Sequence, residues 1–213
     1  NAFVAYEVLA GAKFPVGNEP TEDFDLAWCR AKTMRLAQSA VTTMTAANTT
    51  GKSKTLFAVL KSIDASYTIS SRKPYQAINR DGYEVELLAA PSTHPLPKEE
   101  AFDPMASLIE QEWLLLGRPM QTVVATLRGR ACPLAVPDPR WMALHKLWLA
   151  NKPERNSAKK EKDRRQGNVL LDAVRHFMQN SHPIDVDFVL QLPTELQPVF
   201  DAWCSERGFI PSP

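Results

Sequence analysis

Two aspartates separated by one residue are the side chains of this chain best suited to metal chemistry. Asp23 and Asp25 lie in residues 21–28, TEDFDLAW, where apolar residues alternate with the acids as a half-buried strand requires. In a strand, residues i and i+2 point the same way at a separation of roughly 6.5–7 Å. Two carboxylates at that spacing suit Mg²⁺, which is usually held by one or two carboxylates plus the phosphates of a substrate. The pattern therefore predicts a magnesium site for nucleotide chemistry, with a solvated acidic loop as the alternative.

A second acidic pattern lies further along the chain. Glu84 and Glu86 alternate with Val85 and Leu87, so the two acids share one face of a predicted strand. If this strand lies beside residues 23–28, a third carboxylate joins the two aspartates. Three carboxylates on adjacent strands fit two-metal phosphoryl transfer, in which one ion activates the attacking oxygen and the other neutralises the leaving phosphates. A solvated strand face is the alternative.

Basic residues in the second half of the chain are candidate phosphate ligands. Lys146 stands among the apolar residues of 141–149, and a lysine in such surroundings either snorkels to the surface or projects into a site that contains anions. The run 159–166, KKEKDRRQ, is either a solvated helix face or a phosphate-binding edge. Lysine suits the second role because its ammonium group acts as a point charge.

Three other patterns are set aside. Residues 49–53, TTGKS, end like a P-loop, but Ala46 replaces the first glycine of that motif and no strand precedes it. The acids of Asp185-Val186-Asp187 precede an apolar run and are expected to cap a helix. The histidines show no spacing with cysteine or acid that indicates zinc or a catalytic triad.

Hydrophobic periodicity predicts an α+β protein with an α/β half followed by a helical half. Helices are predicted at 2–10, 54–63, 141–150, 159–178 and 194–204. Strands are predicted at 23–28, 67–71, 75–79 and 83–88, with a further hairpin at 122–127 and 132–136. Asp-Gly at 81–82 and Arg-Gly-Arg at 128–130 supply the hairpin turns. We place a domain boundary near Asp138, between a first domain at 1–137 and a helical domain at 138–213.

Composition narrows the class of protein. The 213 residues carry a formal net charge of +1 and are 44% hydrophobic, which disfavours disorder and gives no overall attraction to nucleic acid or membranes. Cys29, Cys132 and Cys204 are too few and too scattered for a disulfide framework or a zinc site, and fit a reducing cytosol. No apolar run is long enough to cross a bilayer. Because the amphipathic run 2–10 begins at once, we expect the natural start to lie before Asn1.

Five segments of the chain resemble one family. Together they are similar to the bacterial nucleotidyltransferase-fold family of the DNA polymerase beta-like superfamily, in order from residue 1 to about residue 175. The segments are Asn1-Ala2, Ala5-Tyr6-Glu7, Glu22-Asp23-Phe24-Asp25-Leu26, Asn79-Arg80-Asp81-Gly82-Tyr83-Glu84-Val85-Glu86-Leu87 and Leu144-His145-Lys146-Leu147-Trp148. The last segment and the basic run after it make the resemblance more specific than the paired aspartates alone.

The resemblance implies a mixed-sheet catalytic domain flanked by helices. This domain would bind a nucleoside triphosphate through Mg²⁺ or Mn²⁺ and transfer its nucleotidyl group to an acceptor. Asp23 and Asp25 would be the metal ligands. Glu86 would be the third carboxylate, which assists the second metal or accepts the proton of the acceptor hydroxyl.

The resemblance also implies a nucleotide-binding set. Lys146 would contact the triphosphate, and Lys162 with Asp163 would match a basic-acidic pair on the following helix. Asn1 would directly follow the glycine-serine or glycine-threonine turn that cradles phosphates in the family. Two positions depart from the family pattern, because Glu86 stands where aspartate is more usual and Lys162 where arginine is expected.

The expected function is that of a cytosolic nucleotidyltransferase. Its acceptor is open among a protein side chain, an RNA end and a small molecule, and a toxin-antitoxin setting follows by analogy alone. A catalytically silent nucleotide-sensing or scaffold module is the first alternative. The second is a nucleic-acid-binding protein that uses residues 159–165, although this run lacks aromatic residues for base stacking. Base preference and oligomeric state are not determined by these patterns.

Overall fold

In a computed structural model of the chain, the described residues are 2–15, 23–28, 56–89, 106–107, 109–125 and 129–213. The chain divides into two compact units, one of residues Thr21–Glu112 and one that joins Asn1–Pro20 to Trp113–Pro213. We name the first the sheet unit and the second the helical unit. The predicted α+β class is confirmed. The domain boundary near Asp138 stays a prediction.

Strands prevail up to residue 136 of the described chain, and helices follow. The helices are α1 (Ala2–Ala10), α2 (Leu56–Ile63), α3 (Pro139–Asn151), α4 (Ser157–Phe177), α5 (Val186–Leu190) and α6 (Gln197–Arg207), with a 3₁₀ helix at Ile109–Leu115. The strands are β1 (Asp23–Trp28), β2 (Thr68–Ile69), β3 (Gln76–Ile78), β4 (Glu84–Ala89), β5 (Ala106–Ser107), β6 (Met120–Ala125) and β7 (Ala131–Val136). None of the described helices is long and apolar enough to cross a membrane.

A mixed sheet forms the sheet unit. In the described residues its strand order is β1-β4-β3-β2, and β5 pairs with the end of β4. The β1–β4 and β4–β5 pairs are parallel, whereas β3 is antiparallel to both β2 and β4. Val85 and Leu87 of β4 pack with Phe57 of α2 in the core of this unit. Because side chains alternate along a strand, Glu84 and Glu86 lie on the face opposite this core.

The predicted hairpin around Asp-Gly is confirmed. The Asn79 Oδ1 atom accepts hydrogen bonds from the backbone N–H groups of Asp81 (3.0 Å) and Tyr83 (2.8 Å). Gly82 has a φ of 80°, a conformation that glycine adopts without a steric penalty. The turn sets the register of the two strands, in which Gln76 lies opposite Glu86.

The helical unit is built on α3 and α4, which pack against each other around a buried core. Helix α1 also contacts β6, β7 and α4. The Tyr6 hydroxyl of α1 donates a hydrogen bond to the Pro137 carbonyl at 2.9 Å, just after β7. Burial, together with the nearby Asp138 carboxylate, raises the pKa of Tyr6 well above its usual value. This phenol therefore acts as a neutral hydrogen-bond donor.

Side-chain caps decide where three helices begin. Asp138 caps α3, Asn156 caps α4 and Asp185 caps α5. The Asn156 cap explains why α4 begins before the predicted residue 159. The predicted capping role of Asp185 is confirmed, because its Oδ1 accepts a hydrogen bond from the N–H of Phe188 at 2.9 Å.

Other boundaries differ from the sequence prediction. The second hairpin is present, but β6 begins at residue 120 because Met120 pairs with Val136. Helix α6 begins at Gln197 rather than at residue 194, since its proline takes a place in the first turn that suits a fixed φ. Strand β5 and the 3₁₀ helix were not predicted because neither is long enough to show a period. The TTGKS segment and the proline-rich residues 91–104 lie outside the described residues.

Glycine fits the close approach of α3 and α4 at residue 167. A Cβ atom at Gly167 would lie 2.7 Å from Leu147 Cγ and 2.8 Å from the Ala143 carbonyl oxygen. We expect Gly167→Ala to lower the free energy of unfolding by about 1–2 kcal/mol in urea denaturation, because overpacking exceeds the gain in helix propensity. Lys159→Ala, at an exposed position of the same helix, should change stability by less than about 0.5 kcal/mol. Stabilisation by Gly167→Ala would contradict the close approach.

Candidate functional site

The acids of β1 and β4 occupy paired positions on parallel strands. Asp23 pairs with Glu84, and Asp25 pairs with Glu86. Neighbouring strands lie roughly 4.8 Å apart, and paired positions fall on the same face of a sheet. The backbone thus brings four acidic positions together on the face opposite the core. The side chains of Asp23 and Asp25 lie outside what the structure describes.

Gln76 of β3 holds the two glutamates side by side. Its amide nitrogen Nε2 donates to Glu84 Oε2 at 2.6 Å and to Glu86 Oε1 at 2.9 Å, and the residue is 4% exposed. Glu86 Oε1 also accepts a hydrogen bond from Lys73 Nζ at 3.0 Å. This hydrogen bond raises the pKa of Lys73 above its usual value. One buried amide therefore offsets the repulsion between two neighbouring carboxylates.

The sequence analysis missed both partners of these glutamates. Gln76 had a usable signal, because a hairpin centred on Asp-Gly at 81–82 places residue 76 opposite Glu86. A glutamine across from two alternating acids has donors to offer them. Lys73 gave no such signal, because it lies before β3 and belongs to no segment with a hydrophobic period.

The bridging role of Gln76 leads to a stability prediction. Gln76→Glu keeps the shape of the side chain but places a third carboxylate beside Glu84 and Glu86. We expect it to lower the free energy of unfolding at pH 7.5 by about 1–3 kcal/mol, because a shared donor is lost. The loss comes from repulsion between charged carboxylates, so it should shrink when the added carboxylate is neutralised at low pH.

Urea denaturation at several pH values measures this effect. Gln121→Glu is the matched control, because it makes the same chemical change at an exposed position of β6. It should shift stability by less than about 0.5 kcal/mol. Equal changes in the free energy of unfolding for the two substitutions at pH 7.5 would contradict the bridging role of Gln76.

The chemistry of this acidic face fits a divalent ion. Carboxylate oxygens are hard ligands of the kind that Mg²⁺ and Mn²⁺ prefer. Among the described side chains, no group of three or more His, Cys, Asp or Glu residues is placed to hold a metal ion. The side chains of Asp23 and Asp25 are not among those described, and the backbone positions of these two residues pair with the two glutamates. The donor types and the strand register are therefore compatible with a metal held between β1 and β4.

A second group of charges lies in the helical unit. Asp163 of α4 is 1% exposed, and its Oδ1 lies 2.9 Å from Lys146 Nζ of α3. Its Oδ2 accepts hydrogen bonds from Arg155 Nε at 2.9 Å and Arg155 Nη2 at 2.6 Å. The ammonium group of Lys146 is therefore paired with a carboxylate and does not simply extend into solvent. Two cations share one buried carboxylate, so the group has a net charge of +1.

The other expected nucleotide-binding residues are placed differently. Lys162 precedes Asp163 on α4 and is half-buried. The described partners of Asp163 are Lys146 and Arg155 instead. The sequence analysis did not consider Arg155, because it lies in the connection between α3 and α4. Asn1 lies outside the described residues.

Two buried histidines and the thiol of Cys204 have structural surroundings. His145 is buried and stacks on Trp148. His182 is also buried, and its Nε2 lies 3.0 Å from the Arg118 carbonyl oxygen. Burial is the main cause that raises the pKa of the Cys204 thiol to about 11. That thiol stays protonated at neutral pH and is a poor nucleophile.

The fold and these two groups define a class of protein. It is an α+β protein with acids on paired strands of a mixed sheet and with a helical unit that presents cations around a buried carboxylate. A family model described as nucleotidyltransferase matches residues 1–186. The chain belongs to this nucleotidyltransferase family, and membership indicates a transferase. No curated protein and no solved structure matches the chain.

Proposed function

We propose that this chain is an enzyme that uses Mg²⁺ or Mn²⁺ to transfer a nucleoside monophosphate from a nucleoside triphosphate to an acceptor hydroxyl. The observation that carries this proposal is the register of β1 and β4, in which Asp25 pairs with Glu86 and Asp23 with Glu84. Family membership over residues 1–186 supports the same reaction.

The acids of the sheet unit would hold the metal. Asp23, Asp25 and Glu86 are the proposed ligands, and Gln76 keeps Glu86 in place. A bound divalent ion supplies charge neutralisation for the triphosphate and for the pyrophosphate that leaves. The role of the protein is to fix the oxygen ligands before the substrate arrives, so that little reorganisation is needed during the reaction.

The chemical step is a substitution at phosphorus. The acceptor oxygen forms a bond to the α-phosphorus, and the bond between that phosphorus and the bridging oxygen of the pyrophosphate breaks. The acceptor proton passes to a carboxylate, and Glu86 is the candidate if it serves as the base instead of as a metal ligand. Within the described residues, Gln76 and Lys73 both bond to Glu86 Oε1, which leaves Oε2 available to accept the proton.

Lys146 is the proposed ligand of the triphosphate, and its ammonium group pairs with the Asp163 carboxylate at 2.9 Å. The acceptor is a protein side chain, an RNA end or a small molecule, because the same metal chemistry serves all three and acceptor choice resides in other contacts.

The test is the transfer of label from each α-labelled nucleoside triphosphate to the protein itself or to components of a cell extract. The proposal expects incorporation that requires a divalent ion and an intact Asp25. The size of the labelled product, and its sensitivity to protease or ribonuclease, identifies the class of acceptor.

A nucleotide-binding protein without transfer is the second candidate. The ion pair between Lys73 and Glu86 favours it, because a lysine already offsets the charge of the third carboxylate. This candidate expects nucleotide binding with no incorporation of label under any of these conditions.

A further inference from the structure

Arg155 and Lys146 approach the Asp163 carboxylate from two different elements. Lys146 belongs to α3, whereas Arg155 lies between α3 and α4, where its N–H bonds to the Lys152 carbonyl oxygen at 3.2 Å. The carboxylate gives one oxygen to each cation. Its own side chain is 2% exposed, while those of Lys146 and Arg155 are 21% and 29% exposed. The shared anion is therefore buried, and parts of both cations remain in contact with solvent.

The two cations keep hydrogen-bond donors that Asp163 does not use. A lysine ammonium has three donors and an arginine guanidinium has five. Within the described residues, Lys146 gives one donor to Asp163, and Arg155 gives Nε and one Nη2 hydrogen. The Nη1 group of Arg155 makes no hydrogen bond to the described residues. Asp163 thus fixes both charged groups, and each keeps donors that no described side chain or carbonyl accepts.

The charge balance favours a role beyond helix packing. One carboxylate neutralises one cation, so a structural ion pair of Asp163 needs only Lys146. Bringing a second cation to a buried carboxylate adds a desolvation penalty for that cation. An anion that binds to the exposed side of Lys146 and Arg155 would offset this penalty. Phosphate oxygens fit best, because they accept several charge-assisted hydrogen bonds from an arginine fork and a lysine.

We propose that Asp163 is a positioning residue that holds Lys146 and Arg155 as a two-cation site for the triphosphate, and that Arg155 contacts a phosphate directly. This inference rests on the proposed function, because it names a further residue that binds the nucleotide. It assigns Asp163 no contact with the substrate. The carboxylate acts only by fixing the two cations.

Binding of inorganic tripolyphosphate to the full chain tests this site. Isothermal titration calorimetry in buffer without divalent ions excludes any contribution of a metal held by β1 and β4. We expect Arg155→Met to weaken binding by about 10- to 100-fold, as removal of a hydrogen bond to a charged group predicts. Arg155→Lys keeps the charge but not the fork, so we expect a smaller loss.

Arg207→Met is the matched control. Arg207 belongs to the same unit, and its Nε lies 2.6 Å from Asp172 Oδ1, but the side chain of Asp172 is 39% exposed. This variant loses the same positive charge and an ion pair with a carboxylate. It should bind tripolyphosphate within about twofold of the unchanged chain, since Arg207 lies outside the two-cation site.

Thermal unfolding of each variant separates a binding role from a structural one. If Arg155 has only a structural role, Arg155→Met should lower the melting temperature and leave the affinity of the folded protein for tripolyphosphate unchanged. That result would overturn the proposal. If Arg155→Met does not fold, Arg155→Lys decides: several-fold weaker binding supports the site, and unchanged affinity overturns it. Absence of tripolyphosphate binding to the unchanged chain would also overturn it.

The binding experiment and the transfer assay distinguish a wrong two-cation site from a wrong proposed function. If label is transferred but Arg155→Met binds tripolyphosphate as Arg207→Met does, the two-cation site is wrong and the proposed function stands. If Arg155→Met loses affinity but no label is transferred, the two-cation site stands and the protein binds triphosphates without transfer.

Discussion

Asp25→Asn is expected to reduce nucleotidyl transfer by about a hundredfold or more. Loss of a residue that only supports a metal ligand typically lowers activity by about 10–100-fold, and loss of a ligand should do at least as much. Asp25 pairs with Glu86 on the neighbouring strand, so it lies where the acids converge. The substitution is nearly isosteric and removes only the charge. We therefore expect circular dichroism and the melting temperature to change little.

Asp81→Asn provides the control for this prediction. Asp81 is an exposed aspartate of the same unit, and it lies in the turn between β3 and β4. Asn-Gly suits such a turn as well as Asp-Gly does. The rate of label incorporation should stay within about twofold of the unchanged chain, since exposed substitutions have small effects. Transfer by Asp25→Asn at the rate of Asp81→Asn would exclude Asp25 as a metal ligand.

Asp138→Ala is expected to lower the free energy of unfolding by about 3–5 kcal/mol, which is a large part of the stability of a typical domain. Asp138 is fully buried. Its carboxylate accepts two bonds from the Arg140 guanidinium, at 2.7 and 3.1 Å, and one from the N–H of Arg118 at 2.9 Å. Removal of the carboxylate leaves Arg140, which is 9% exposed, as a buried cation that keeps the Pro183 carbonyl and the ring of Phe188 as partners.

Asn156→Ala is the control for Asp138→Ala, because it removes a helix cap without removing an ion pair. Asn156 caps α4 as Asp138 caps α3, but its hydrogen bonds are exposed and no charged side chain of the described residues bonds to it. Loss of this cap should lower the free energy of unfolding by about 1 kcal/mol. Urea denaturation of both variants makes the comparison. Equal losses would show that Asp138 acts as a cap alone.

The location of the strands and helices was largely predictable, because it depends on local patterns. Residues 23–28 alternate apolar and acidic side chains, and they form β1 over the same range. The Asp-Gly turn sets the register of β3 and β4, since a short hairpin loop leaves little freedom. The caps of α3 and α5 are acids placed directly before apolar periodic segments. Short elements without a period, such as β5, gave no such pattern.

The candidate site was predictable only in part. The alternation of Glu84 with Val85 and of Glu86 with Leu87 places both acids on one face, whatever strand lies beside them. The spacing alone did not determine that Asp25 would pair with Glu86. A local pattern also gave no reason to connect Lys146 with Arg155, which lies beyond the end of the same helix.

The sequence by itself determined which residues share a face, where the turns fall and which chemical groups are present, because these follow from backbone geometry over a few residues. The tertiary structure decided which faces meet. The apolar face of β4 is buried against α2, and its pairing with β1 brings the acidic positions together on the other face. Packing of α3 on α4 likewise buries Asp163 and draws Lys146 and Arg155 to it. The physical reason is that burial and charge pairing act between segments far apart in the chain, and local periodicity does not specify partners at that distance.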